Sequence, residues 1–237
     1  MPRKSTPRAP LHAAEFRRKL LTWFRRQGRD LPWRRTRDPY RVIVSEFMLQ
    51  QTQVSRVEGY YHRFLERYPS VEALAGAPAE VVRESWEGLG YYRRAANLHR
   101  LAQEVMREHG GVIPADPATL LRLPGVGRYT AGAVASFAYE RATPAVDTNV
   151  GRVLRRAFHP RLARLGAERR LWETAAAIVP TRGKTAWAFN QAIMELGALV
   201  CTARVARCGG CPVRGACKTG RRAAMSPMRP ESTMSAL

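Results

Sequence analysis

Apolar residues along this chain recur at helical spacing, and no pair of segments shows the period-two alternation of a strand hairpin. Over residues 13–27, Phe16, Leu20, Trp23 and Phe24 share one face, which predicts a helix. Gly28, Pro32 and Pro39 then punctuate a loop. The stretch YRVIVSEFMLQQTQV, residues 40–54, reads as a helix with a break around Gln50–Thr52. Ser70 is placed to N-cap a helix over 71–76, and Pro78 to sit in the first turn of another that runs to Trp86. GLGYY (88–92) interrupts the pattern, and an amphipathic helix over 93–109 stops at Gly110-Gly111. Asp116-Pro117 opens a short helix that ends at Pro124. Helices are predicted over 129–139, over 148–157 with Asp147 as N-cap, and over 167–179 and 185–198. The expected fold class is all-α, without internal repeats.

The length of 237 residues allows one large domain or two small lobes. No run of about 18 apolar residues exists, so no membrane span is expected. Charge changes the picture most. Forty Lys+Arg against nineteen Asp+Glu give +21 and a pI near 11.2, a field that favours a polyanion, with nucleic acid as the first expectation and an anionic surface as the second. Arginine supplies nearly all of it, since only Lys4, Lys19, Lys184 and Lys218 are lysines. Residues 1–10 read as a disordered basic arm and 221–237, rich in Ser, Pro and Met, as a disordered tail.

Between two predicted helices lies LPGVG, residues 123–127. Gly125 and Gly127 permit positive φ and let backbone N–H groups approach a partner, and the following helix aims its free N–H groups at the same place. Such a helix-hairpin-helix grips a phosphate backbone without reading sequence. Its bland alternative is an ordinary corner between two helices.

Two carboxylates stand out. Asp147 reads first as an N-cap. Glu46 sits within VIVSEFMLQ, with Val42, Leu49 and Gln50 on its side of the helix. Burial there raises its pKa, so that it is either a satisfied core carboxyl or a held proton. A protonated Glu facing an ionised Asp is the pair needed to cleave a glycosidic bond. Cys201, Cys208, Cys211 and Cys217 follow the spacing C-x6-C-x2-C-x5-C, a set of four thiolates that suits zinc or an iron–sulfur cluster alike.

Together these features resemble the helix-hairpin-helix DNA glycosylases of the endonuclease III superfamily, over about residues 13–220. The resemblance implies a two-lobed fold and a 4Fe-4S cluster rather than zinc on the four cysteines. It implies a barrel lobe over 30–145 and a cluster lobe formed by 11–29 with 146–220. LPWR (31–34), SEFMLQQTQV (45–54), GLGYYRRAANLH (88–99), LPGVGRYTAGAV (123–134) and FNQAIMELGALVC (189–201) are most similar to the MutY-type adenine glycosylase branch. Endonuclease III-like members carry a nucleophilic lysine where this chain has Tyr129, whose phenol forms no Schiff base. A monofunctional glycosylase of base excision repair is therefore expected. Thymine mismatch members share the tyrosine but lack a counterpart of Glu46.

By the same resemblance, Glu46 protonates adenine and Asp147 stabilises the sugar cation, with Tyr129 and Asn149 flanking them. Trp33, Arg34 and Gln191 line the base pocket, while Gln51 and Tyr91 wedge into the stack, as extrusion of a base requires, or probe the opposite base. Arg204, Arg207 and Arg214 are expected near phosphate. The partner is double-stranded DNA with a mispaired base, the protein a monomer, and the location cytoplasmic and nucleoid-associated. Two departures bear on specificity. The branch usually has glycine where Thr148 stands, and its C-terminal Nudix-like domain, which recognises 8-oxoguanine, is not expected within the twenty residues after Cys217. Other readings are a glycosylase for a different mispaired base and a non-catalytic DNA-binding module.

Overall fold

The computed structural model describes residues 9–163 and 165–225, and those residues form twelve α-helices with two short 3-10 turns. They are α1 (Ala13–Gln27), α2 (Pro39–Leu49), α3 (Val54–Arg67), α4 (Val71–Ala75), α5 (Ala79–Glu84) and α6 (Arg93–His109), followed by α7 (Pro117–Leu120), α8 (Arg128–Phe137), α9 (Thr148–Phe158), α10 (Ala167–Ile178), α11 (Gly183–Leu199) and α12 (Lys218–Met225). No strand longer than one bridge, Cys201 with Ala206, occurs among them, so the fold is all-α.

Local chemistry sets most boundaries. Ser70, Asp116 and Asp147 each accept a backbone N–H at the start of their helices, and Gly110 closes α6 in the left-handed region. The break expected around Gln50–Thr52 is present: α2 ends at Leu49 and a separate α3 begins at Val54, burying Val57, Tyr61 and Phe64. One expectation is corrected by the structure. The segment from Arg221 is helical as far as Met225, because the Cys217 carbonyl accepts the Arg221 N–H and the Thr219 hydroxyl donates to the Arg156 carbonyl at 2.7 Å. Most of the basic arm, and the tail beyond Met225, lie outside the described residues.

Two cores form. One gathers side chains between Leu31 and Ala145, with Phe47, Phe64, Trp86 and Leu98 fully enclosed. The other joins Phe16 and Leu20 of α1 to Leu154 and Phe158 of α9 and to Ile193 of α11. Each enclosed large apolar side chain contributes roughly 1.5–3 kcal/mol. Met194 packs against both cores. Asn190 ties them together: its amide donates to Ser136 Oγ at 2.9 Å and to the Thr143 carbonyl at 2.8 Å.

Candidate active site

A cleft of about 1160 Å³ opens between the two cores. It is large enough for a nucleoside, and its walls include Glu46, Asp147, Tyr129 and Asn149.

Asp38 starts α2 by accepting the Tyr40 N–H at 2.8 Å, with Pro39 in the first turn. Every residue from Val42 to Met48 is buried, so Glu46 has almost no contact with water. Its Oε2 is enclosed without a hydrogen-bond partner. Burial first, then the charge of Asp147, pushes its pKa up to about 7, while the Tyr129 hydroxyl pulls it part of the way back. Tyr129 itself is driven well above the ordinary phenol range by burial and by both carboxyls, so it stays a neutral donor.

Asp147 is both things the sequence allowed. Oδ1 caps α9 by accepting the Val150 N–H at 2.7 Å, and Oδ2 accepts from Asn149 Nδ2 at 2.9 Å. Burial raises its pKa, and those hydrogen bonds with the Arg152 charge oppose the rise. The Arg152 guanidinium donates to Asn149 Oδ1 at 2.7 Å, to the Gly197 carbonyl at 2.7 Å and to the Cys201 carbonyl at 2.8 Å. Only glycine fits at 197, since a Cβ there would meet Asn149 Cβ at 2.8 Å.

Opposite, Arg34 donates to Gln191 Oε1 at 2.8 Å, which leaves the Gln191 NH2 as the free donor. Arg34 also reaches Glu195 at 2.9 Å, and Arg29 grips the same carboxylate through both its oxygens. Burial pushes Glu195 up, but the two arginines outweigh it and hold the pKa down at about 2. Trp33 lines the cleft yet is mostly buried, edge-on to Tyr61 with centroids 5.5 Å apart.

The hairpin borders the same cleft through Gly125 and Gly127. Gly125 uses the left-handed backbone, φ 75°, and a Cβ there would strike Asn97 at 2.7 Å and Phe47 at 2.9 Å. Gly127 does not need positive φ: it lies at φ −91° as the N-cap of α8, and a Cβ there would meet nothing. Because it brings no side-chain cap, the first N–H groups of α8 have no side-chain acceptor. Arg128 stacks on Trp172, which lines the cleft, at 4.0 Å from the ring centroid.

Gln51 lies on the rim of the cleft, and Tyr91, which is not in its lining, shares a neighbouring depression with Gln51. The four cysteines stand apart from the cleft and line one cavity of their own, walled also by Arg156, Arg207 and Arg214. Arg156 Nη1 lies 3.3 Å from Cys201 Sγ, and the Gly220 N–H is 3.3 Å from Cys217 Sγ, donors suited to anionic sulfur. No three metal-ligating side chains among the described residues converge on one point. Arg204 and Arg207 are exposed, whereas Arg214 is half-buried with Nε enclosed and unpartnered.

The sequence pattern does not single out Arg29, Arg152 or Glu195. Glu195 carries the signal that marks Glu46, a carboxylate inside an apolar helix, one turn beyond Gln191. Nothing in the sequence marks Arg152 among forty basic residues.

The sequence model of the HhH-GPD superfamily of base excision DNA repair proteins matches residues 44–176, and the chain belongs to that superfamily. It is similar to the adenine DNA glycosylase of Mycolicibacterium smegmatis, 52% identical over 196 residues, covering 82% of this chain and 66% of that protein. The adenine DNA glycosylase of Rattus norvegicus is 43% identical over 241 residues, covering 92% of this chain and 45% of that protein. The chain thus spans roughly half to two thirds of the length of these curated relatives. Among solved structures, a thermostable thymine-DNA glycosylase superposes with a TM-score of 0.82 at 31% identity, covering 89% of this chain and 97% of that one. No helix among the described residues is long and apolar enough to cross a membrane.

Proposed function

We propose that this protein is a monofunctional adenine DNA glycosylase acting on adenine opposite guanine or 8-oxoguanine in double-stranded DNA. The observation that carries the reading is Glu46: a buried carboxyl with an unpartnered oxygen, poised near neutral pH in a cleft shared with Asp147. Glu46 gives its proton to N7 of the extruded adenine as the C1′–N9 bond breaks and its electron pair leaves with the base. Positioned acid catalysis of this kind contributes roughly 10²–10⁴-fold. Asp147, held by Val150 and Asn149, stabilises the cation at C1′. Water then adds to C1′ and returns a proton to Glu46. Trp33, Arg34 and Gln191 hold the base, with the Gln191 NH2 as hydrogen-bond donor. The hairpin N–H groups take a phosphate, and Gln51 and Tyr91 fill the stack that the base has left.

Tyr129 occupies the place of a Schiff-base lysine, and no lysine among the described residues lines the cleft. Adenine is therefore released and the sugar stays in the strand as an abasic site, without strand cleavage. The four cysteines would hold a 4Fe-4S cluster. Thiols spread around one cavity suit several irons, whereas zinc asks for four sulfurs at about 2.3 Å from one ion. Bound there, the cluster ties the 201–217 loop into one rigid unit. The protein works as a monomer on nucleoid DNA in the cytoplasm.

The test is base release from duplexes with adenine opposite 8-oxoguanine, adenine opposite guanine, and thymine opposite guanine, with and without alkali. Adenine loss, with strand breakage only after alkali, is expected. Thymine loss as the main reaction, or breakage without alkali, contradicts the reading of Glu46 or of Tyr129.

A further inference from the structure

Arg94 lies in the first turn of α6 and is buried, although no carboxylate among the described residues pairs with it. Its guanidinium is instead surrounded by carbonyls from two separate segments. Nη1 donates to Phe47 O at 3.1 Å, to Met48 O at 2.7 Å and to Gln50 O. Nη2 donates to Leu89 O at 3.2 Å and to Gly90 O at 3.0 Å. The first three carbonyls belong to the end of α2, the negative pole of that helix, where carbonyls lack intrahelical partners. The other two belong to the loop before Tyr91. The guanidinium also lies 5.5 Å from the centroids of both Trp86 and Tyr91.

Each held segment leads directly into a residue with left-handed backbone. Gln51 comes immediately after Gln50 with φ 57°, and Tyr91 immediately after Gly90 with φ 48°. Non-glycine residues hold that conformation only where their surroundings enforce it. Both side chains are exposed, Tyr91 by 60%, and both border one depression beside the cleft. A single buried cation thus sets the distance between two strained, solvent-facing tips.

We propose that Arg94 is a positioning residue: it fixes Gln51 and Tyr91 as one rigid pair, so that both tips enter the duplex together and open the stack around the target base. This rests on the glycosylase reading above. Arginine suits the task because its planar fork spreads two terminal nitrogens, Nη1 on one segment and Nη2 on the other, while Nε is enclosed without a partner, whereas lysine directs three donors from one point. Arg94 does not itself line the cleft and bonds neither of its carboxyls; it meets the cleft wall only through the Gln50 carbonyl, beside Gln51, so its effect falls on base extrusion and not on bond cleavage.

The test uses Arg94→Lys in the full chain. Single-turnover release of adenine is measured from a mispaired duplex and from the same adenine inside an unpaired bubble, where no stack has to be opened. Release from the duplex is expected to fall about tenfold or more, and from the bubble less than about threefold; lysine leaves some of the five carbonyls unpaired, so the melting temperature falls and both substrates are compared at a temperature where the variant is folded. Equal losses on both substrates, or no loss on the duplex, overturn the proposal. Adding Arg94→Lys to a Gln51→Ala/Tyr91→Ala protein is expected to change duplex release less than about twofold, and a full additional loss overturns it. A second readout needs no chemistry. The fluorescence of 2-aminopurine at the target position rises when bound protein unstacks it, and Arg94→Lys at saturation is expected to reach less than about half the parental rise. An undiminished rise overturns the proposal. A parent protein that brightens 2-aminopurine yet releases no adenine contradicts the glycosylase reading alone, and the fluorescence comparison then decides the role of Arg94.

Discussion

Asn149 donates its side-chain amide to Asp147 Oδ2 at 2.9 Å while its own Oδ1 is held by Arg152 at 2.7 Å. The orientation of Asp147 therefore depends on a side chain that does not touch it. Arg152→Met leaves the Asn149 and Gly197 acceptors unpaired, leaves the Cys201 carbonyl with Arg156 alone, and frees Asn149 to turn. Base release is expected to drop about 10–100-fold, the range for a reacting group displaced by about an ångström. Each unsatisfied buried acceptor costs about 1–3 kcal/mol, so the melting temperature also falls. Single-turnover kinetics beside thermal melting check this. An unchanged rate in a folded variant contradicts it.

The Glu46 pKa near 7 predicts an alkaline limb. The proton donor is lost as pH rises through about 7, so kcat/KM falls above that value. Stability carries the same signature. The folded carboxyl binds its proton more tightly than the unfolded one, so stability declines as pH rises from about 4.5 to about 7, by of order 3 kcal/mol. Glu46→Gln is expected to abolish base release, retain DNA binding and flatten that slope. Denaturant titrations at several pH values test the slope.

Glu195 has the opposite sign. Its pKa is held down at about 2 by Arg29 and Arg34, so its contribution is complete above the ordinary carboxylate range and disappears as pH falls through about 2. Glu195→Gln leaves two arginines without their carboxylate at a buried position and is expected to cost about 3–5 kcal/mol. Arg34 loses its anchor, so the grip on Gln191 loosens and base release slows as well. Acid melting of the two proteins checks the first part.

DNA affinity is expected to fall steeply with salt, in proportion to the phosphates neutralised, with a log–log slope of about −0.9 per contact. Arg128 stands at the start of α8, beside the hairpin. Arg128→Ala is expected to reduce the slope by about one and to weaken matched and mismatched duplexes alike. Binding isotherms across a salt series measure it, and a slope near zero for the parent contradicts phosphate-led binding.

Much of the helix pattern is legible in the sequence because its signals are local. Caps at Ser70, Asp116 and Asp147 act within one turn, and the α6 stop at Gly110 is a single residue's backbone preference. Legibility ends where the signal is not local. The break at Gln50–Thr52 is legible, but that Arg94 of α6 binds the carbonyls at the end of α2 is not, because that contact spans more than forty residues. The helical turn at Arg221 likewise depends on contacts to α9 that are distant in the chain.

The sequence by itself determined the all-α class, the hairpin, the cysteine spacing and the burial of Glu46, because composition, turn chemistry and helical period act over a few residues. Tertiary structure alone decided which groups meet. Glu195 lies 166 residues from Arg29, Arg152 meets the Cys201 carbonyl 49 residues away, and Arg94 reaches back 44 residues to the Gln50 carbonyl. Arginines are interchangeable along a chain this basic. Only packing selects the few whose desolvated guanidinium must find partners, and those few orient the site.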